Sequence, residues 1–111
     1  TGTLPIEFQS SSYQAFNLSV DVSCLLSQFP ADGAAVGKVT LEFYSSDDTL
    51  KKVTFSLSGT GATAIKKHGL PALTVSGSHH LEVSSSTNPV IVEIWRHSAN
   101  NFFLNYVGKF E

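Results

Sequence analysis

The stretch VTLEFYSSDDTLKKVTFSL, residues 39–57, alternates apolar and polar side chains on both sides of a polar centre. Val39, Leu41 and Phe43 precede that centre, and Val53 and Phe55 follow it at the same spacing of two. Successive side chains of a strand point to opposite faces, so this period indicates two strands that each have one apolar face. Because the intervening residues 45–49 suit a short turn, the stretch predicts a β-hairpin.

Other short segments of the chain show similar alternation. Residues 13–24 predict a strand whose apolar face carries Phe16, Leu18, Val20 and Val22. Further strands are expected over residues 4–8, 62–65, 73–75, 79–83, 90–95 and 102–110. No segment shows the period of a helix longer than about two turns. The sequence therefore predicts an all-β fold, an antiparallel two-sheet β-sandwich or jelly roll of seven to nine strands.

The size and composition of the chain predict a single domain over residues 1–111. Two cores would each be too small to be stable alone. Apolar residues make up 41% and charged residues only 14%, against about 25% in typical globular domains. Serine, threonine, asparagine and glycine replace the missing charge, and they favour strands and turns over helices. The absence of methionine predicts a mature or excised piece of something longer, and we expect this piece to be its C-terminal part.

Charge and hydropathy argue against two classes of partner. The net charge is −2, and Lys51-Lys52 and Lys66-Lys67 are pairs rather than larger clusters, so no broad positive field is available for nucleic acid. No apolar run approaches the ~18 residues of a membrane span, so membrane insertion is not expected. Cys24 is the single cysteine and lies in an apolar run, which predicts a buried thiol.

The sequence does not predict an enzyme, a cofactor or a metal site. It has no Gly-x-Ser-x-Gly motif, and its carboxylates are too scattered to pick out an acid and base pair. His80 and Glu82 share one strand face and would provide two points of a zinc site, which His68 or His97 would have to complete. With only two ligands close in sequence, these side chains are predicted to be hydrogen-bonded or solvated instead.

The end of the strand at 90–95 and the loop after it carry the candidate ligand-binding residues. Their side chains combine an aromatic ring, a guanidinium fork and amides, which are groups that hold sugar rings and peptide termini. The alternative is that the tryptophan packs in the core or at an interface. The candidate residues are Trp95, Arg96, His97, Asn100 and Asn101.

The last two predicted strands are apolar on both faces. Ile91 and Trp95 oppose Val90, Val92 and Ile94 on one strand, and Phe103 and Val107 oppose the apolar face of the other. Parallel sheets explain such strands, but they are expected to need helical crossovers that this sequence lacks. We therefore expect a partner subunit to cover the second face. The predicted oligomer interface comprises Ile91, Trp95, Phe103 and Val107.

The C-terminal third also resembles a known group of proteins. A strand at 79–83, an apolar strand at 90–95, an asparagine-rich loop and a terminal aromatic strand at 102–110 resemble the closing strands of trimeric jelly-roll heads. These include C1q and tumour-necrosis-factor-like domains and the knobs of viral and bacteriophage fibres or tail needles. The resemblance implies a homotrimer with its terminal strands at the three-fold axis, at an extracellular or virion surface.

Three functional hypotheses follow from the sequence. The leading one is a non-enzymatic attachment or recognition head, a homotrimer that binds a cell-surface glycan or protein. The second is a monomeric carbohydrate-binding module excised from a larger secreted enzyme. The third is a purely structural virion or assembly domain without a ligand. Oligomeric mass separates the first hypothesis from the second, and a glycan array separates either from the third.

Overall fold

The computed structural model describes residues 1–8, 11–30, 37–70 and 79–111. These ranges contain nine strands in two sheets and no helix, which confirms the predicted all-β, sandwich-like class. The predicted strand at 73–75 lies outside the described residues. The strands are β1 (Gly2–Pro5), β2 (Tyr13–Leu18), β3 (Val22–Leu25), β4 (Val39–Ser45), β5 (Lys51–Ser56), β6 (Ala64–His68), β7 (Leu81–Val83), β8 (Val90–Arg96) and β9 (Asn101–Lys109).

The two sheets contain both parallel and antiparallel pairs. The four-stranded sheet has the order β1-β3-β5-β7, and the five-stranded sheet has the order β2-β4-β8-β9-β6. Strand β3 is parallel to β1 and β5, β2 is parallel to β4, and β6 is parallel to β9. The remaining pairs, β4/β8, β5/β7 and β8/β9, are antiparallel. A jelly roll is built from antiparallel strands, so neither that arrangement nor a wholly antiparallel sandwich is confirmed.

Parallel neighbours are formed here without helical crossovers. Strand β2 of the five-stranded sheet carries the chain from β1 to β3, and β4 carries it from β3 to β5. Each crossover has the length that a parallel pair requires, but it is a strand of the opposite sheet. The sequence argument that missing helices exclude parallel pairing was therefore wrong.

The predicted hairpin over residues 39–57 is a β-arch, in which two consecutive strands lie in opposite sheets and face each other through their side chains. Strand β4 pairs with β2 and β8, whereas β5 pairs with β3 and β7, so the hairpin prediction is wrong. The prediction of which alternate residues face inward is confirmed. Phe43 and Phe55 are buried, and their ring centroids lie 6.4 Å apart across the interior. A hairpin and an arch bury the same alternate residues, which is why alternation could not separate them.

Side-chain hydrogen bonds shape the arch loop. Asp47 Oδ1 accepts from the Thr49 amide at 3.1 Å, from the Thr49 hydroxyl at 2.7 Å and from Lys51 Nζ at 2.7 Å. The Lys51 and Thr49 donors hold the pKa of Asp47 well below its usual range. Asp48 has a positive φ of 59°, and its carboxylate accepts from the Ser86 amide at 2.7 Å. The loop is thereby fixed to the segment before β8.

The predicted strand at 13–24 is also interrupted. Strand β2 ends at Leu18 in one sheet and β3 begins at Val22 in the other, so residues 19–21 carry the chain across. Val20, assigned to the apolar face, is 49% exposed in this connection. Asp21 stabilises the crossing, because its side chain accepts from the Lys52 amide at 2.8 Å.

The core fills the space between the two sheets. Phe29 joins two parts of it, with ring centroids 5.0 Å from Phe8 and 5.4 Å from Phe102. Cys24 is fully buried, as predicted, and burial raises the pKa of its thiol to about 12. Among the described residues, the buried apolar ones are Ile6, Leu18, Val22, Cys24, Leu26, Phe29, Val39, Leu41, Phe43, Val53, Phe55, Leu81, Val83, Val90, Val92, Ile94, Phe102 and Leu104.

Candidate functional site

The outer face of the five-stranded sheet carries two rows of side chains that cross β6, β9 and β8 in register. Each row follows from strand alternation, since the intervening residues of β8 and β9 point into the core. The aromatic row comprises Lys66, Phe103 and Trp95. The polar row comprises His68, Asn105 and Glu93.

The two rings of the aromatic row contact each other, and each ring has a further neighbour. The Trp95 and Phe103 ring centroids are 5.7 Å apart with their planes at 59°. His97 stacks on Phe103 at 4.1 Å with an interplanar angle of 15°. Lys38 precedes β4, and its ammonium lies 4.8 Å from the centre of the Trp95 ring. Because β4 and β9 flank β8 on opposite sides, Lys38 and Phe103 approach Trp95 from opposite directions.

The polar row is a chain of hydrogen bonds across three strands. Asn105 Nδ2 donates to Glu93 Oε1 at 3.1 Å, and Asn105 Oδ1 lies 3.1 Å from His68 Nδ1. An ionised carboxylate can only accept, so this contact sets the orientation of the Asn105 amide. The amide oxygen then faces His68, which assigns the hydrogen to Nδ1. The orientation of the His68 ring is fixed by this relay.

A shallow groove lies beside these rows, over β9 and the edge strand β6. Its volume is about 370 Å³, which lies in the range of small-ligand sites. Its floor is formed by aromatic rings, and its rim carries amine, imidazole and amide groups. The described residues that line it are Lys66, Lys67, His68, Trp95, Phe103, Leu104 and Asn105.

The sequence-predicted residues Trp95, Arg96 and His97 do not act as one group. Trp95 lines the groove and His97 supports Phe103, but Arg96 points to the opposite face and is only 3% exposed. Its Nη2 donates to the carbonyls of Thr60 at 2.8 Å and Ala99 at 2.6 Å. Because successive side chains of a strand point to opposite faces, a ligand on the outer face does not reach Arg96.

Asn100 ends the loop between β8 and β9, and Asn101 begins β9. The Asn100 carbonyl accepts from the amides of Thr63 at 2.9 Å and Ala64 at 3.1 Å, just where β6 begins. The Asn101 side chain donates to the Ser98 hydroxyl at 3.2 Å. Neither asparagine is among the described residues that line the groove. They position β6 beside β9 and thereby shape the groove from outside it.

The four predicted interface residues share the outer face of the five-stranded sheet. Ile91, Trp95 and Phe103 are half-buried by their neighbours there, while Val107 is 46% exposed. A register shift between Ile91 and Val92 breaks the regular rows near Val107. Self-association through these residues stays a prediction.

The histidines near β7 are engaged within the protein. His80 Nδ1 accepts from the Phe55 amide at 3.0 Å, and burial lowers the pKa of His80. Glu82 lies 3.1 Å from His79 Nε2 rather than pairing with His80. Within the part of the chain that the structure describes, no three metal-ligating side chains lie close enough to hold an ion.

A second polar cluster occupies the other end of the outer face. The hydroxyls of Tyr13 and Tyr44 both donate to Glu42. These bonds lower the pKa of Glu42 and raise the pKa of both phenols. The Glu42 carboxylate is thus engaged on both oxygens.

No glycan-binding or peptide-binding role was predicted from the sequence for Lys38, Lys66, Lys67, His68 and Asn105. Lys66 and His68 are two positions apart, and this spacing alone places them on one face of β6. The sequence did not indicate which strand lies beside β6. That strand is β9, which pairs in parallel with β6 although its residues lie 37 positions further along the chain. No local pattern indicates that pairing.

Comparisons with known proteins give no relative from which a function can be taken. No protein-family model matches the chain, and neither a curated protein nor a solved structure matches it. In the described ranges, no helix has the length and apolarity needed to cross a membrane.

Proposed function

We propose that this chain is a non-catalytic recognition domain that binds a glycan in the groove over β6, β9 and β8. The observation that carries the proposal is the aromatic row of Trp95 and Phe103 lying directly beside the polar row of His68 and Asn105. A sugar ring presents apolar C–H groups on its faces and hydroxyls at its rim. Rings below and polar side chains beside it match both kinds of surface.

Preorganisation of the polar groups supports binding. Glu93 orients the Asn105 amide, and Asn105 in turn holds the His68 ring. His97 likewise supports the Phe103 ring by stacking on it. Side chains that are already fixed lose less conformational entropy when a ligand binds, so weak individual contacts contribute more to affinity.

The chemistry of the groove favours binding over catalysis. None of the described residues that line it is a carboxylate, a serine or a cysteine. Cys24 is buried in the core with its pKa raised to about 12, so it offers little thiolate. Glu42 is held by two tyrosines at the other end of the face.

The polar row also bears on the hypothesis of a trimeric head. Glu93 and Asn105 lie between the predicted interface residues, and burying a carboxylate at a dry interface is unfavourable unless a partner compensates it. This favours the carbohydrate-binding module. A trimeric attachment head is the alternative, and its contacts would suit Val107 and Phe110, which are 46% and 51% exposed. Solution mass by light scattering separates the two forms.

The proposal is tested on a glycan array with the wild-type chain, Trp95→Ala and Phe103→Ala. Loss of a stacking ring is expected to weaken binding about tenfold or more. Tyr13→Ala is the matched control, because Tyr13 is an exposed aromatic residue on the same face but outside the groove. It is expected to bind as the wild type does.

Melting temperatures of all variants show whether a loss of binding follows from unfolding. Absence of any glycan bound by the wild-type chain contradicts the proposal. So does a bound glycan whose affinity is the same in folded Trp95→Ala and Phe103→Ala.

A further inference from the structure

The groove carries a local positive charge although the chain as a whole is negative. The formal net charge of the chain is −2. In contrast, Lys66 and Lys67 line the groove, and the Lys38 ammonium lies against the far side of Trp95. None of the described lining residues is acidic. A ligand in the groove therefore meets cations that the overall composition does not indicate.

The two lysines reach the same groove from different faces of one strand. Lys66 lies in the aromatic row, whereas Lys67 is the next residue and points to the other face. Strand β6 is the edge of the five-stranded sheet, so the long side chain of Lys67 can pass around that edge. Both side chains are exposed, and the Lys67 ammonium, whose charge also helps to lower the pKa of His80, can move toward an anion at the edge.

The carboxylate of the polar row does not cancel this charge at the rim. Glu93 lies on β8, two strands away from Lys66 and Lys67 on β6. Its Oε1 accepts from Asn105, which stands between it and His68. The acidic group thus orients the amide at the inner side of the groove, while the outer rim remains cationic.

We infer that the glycan bound in this groove is acidic, a deepening that rests on the proposed function. A carboxylate or sulfate on the sugar pairs with Lys66 and Lys67 at the β6 edge. The sugar ring stacks on the floor formed by Trp95 and Phe103, and its hydroxyls bond to His68 and Asn105. Ligand and groove are then complementary in charge as well as in shape.

The test uses an array on which sialylated, uronic-acid-containing and sulfated glycans are each printed beside their neutral counterpart. The wild-type chain is expected to bind the preferred acidic glycan about tenfold more tightly than its counterpart, since two exposed ion pairs contribute about threefold each or slightly more. Titration calorimetry on the best pair measures this ratio. The preference is expected to shrink between about 0.05 and about 0.5 M NaCl because salt screens exposed charges.

The double variant Lys66→Gln, Lys67→Gln is expected to abolish the preference, so that it binds the acidic glycan and its neutral counterpart with equal affinity. Lys52→Gln is the matched control, because Lys52 is an exposed lysine on the four-stranded sheet. It is expected to keep the full acidic preference.

Each outcome decides between the two proposals. Equal binding of acidic and neutral glycans, with loss of both in Trp95→Ala, overturns this inference and leaves the proposed function standing. An acidic preference that survives in the double variant also overturns it. In that case the lysines serve only to keep the edge strand from pairing with other chains. Absence of any bound glycan overturns both proposals.

Discussion

The β4–β5 arch and the β8–β9 hairpin look alike in sequence and differ in space. Each consists of two strands in which alternate residues are largely buried, joined by a short loop, 46–50 in the arch and 97–100 in the hairpin. The strands of the hairpin pair by backbone hydrogen bonds in one sheet. The strands of the arch lie in opposite sheets and meet through Phe43 and Phe55. Alternation thus determines which side chains are buried, but not which strands pair.

The two loops are closed by different kinds of bond. In the hairpin the His97 amide donates to the Asn101 carbonyl at 2.9 Å, and the Asn101 amide donates to the Ser98 carbonyl at 3.3 Å. In the arch the Asp47 side chain accepts from Thr49 and Lys51. Backbone bonds keep the hairpin strands in one layer, whereas side-chain bonds allow the arch strands to separate into two.

The largest expected effect is on the contact that joins the arch strands. Phe43→Ala and Phe55→Ala should each lower the free energy of unfolding by about 3–5 kcal/mol, because each removes a buried ring and leaves a cavity. The double variant should show a coupling of about 0.5–1.5 kcal/mol, since the two rings touch across the core. Urea denaturation measures these differences.

Val107→Ala provides the comparison from the hairpin, because Val107 is 46% exposed and should change stability by no more than about 0.5 kcal/mol. Additive effects of the two phenylalanine variants would contradict the face-to-face arrangement of β4 and β5.

A smaller effect is expected from Arg96, the buried cation at the end of β8. Arg96→Met should destabilise the protein by about 2–4 kcal/mol, because the carbonyls of Thr60 and Ala99 lose their donor. Glycan binding by the folded fraction should be unchanged. Thermal unfolding and the array together measure both properties.

Arg96→Lys is the matched control, since it keeps a donor and should recover part of the stability. If Arg96→Met melts like the wild type but no longer binds glycan, then Arg96 contacts ligand, as the sequence analysis predicted.

The smallest expected effect concerns acid stability of the arch loop. Lys51 and Thr49 hold the pKa of Asp47 below its ordinary value of 3.8, so the folded state binds its proton less readily than the unfolded state. This contribution is fully present above about pH 5 and is lost as the pH falls through and below that ordinary value. Because the Asp47 side chain is 56% exposed, solvent screens the effect.

The melting temperature is measured between about pH 2 and about pH 7. Its decrease at low pH should be smaller for Asp47→Asn than for the wild type. Glu111→Gln, at the exposed C-terminus, is the control and should follow the wild-type curve. If the melting temperature of Asp47→Asn decreased at low pH as much as that of the wild type, the role given to this carboxylate would be contradicted.

The sequence predicted burial well and pairing poorly. The predicted burial of Phe43, Phe55 and Cys24 is confirmed. It could be predicted because it depends only on alternation and local hydropathy. Val20 is exposed and β4 does not pair with β5, because these outcomes depend on where the chain crosses between sheets. For the candidate site, the sequence indicated Trp95 but not its neighbours on β6, which a parallel pairing between distant segments brings beside it.

The crossing of the chain from sheet to sheet has a consequence for how the protein folds. Among the described strands, only β8 and β9 are both consecutive and paired, so every other ladder joins segments distant in the chain. Closing such long loops costs entropy before any contact compensates it, and folding of such topologies is slow. We expect the β8–β9 hairpin to form early, since an isolated hairpin forms in about 1–10 μs. The parallel strands, β6 with its lysines included, would then join a template that already carries Trp95 and Phe103.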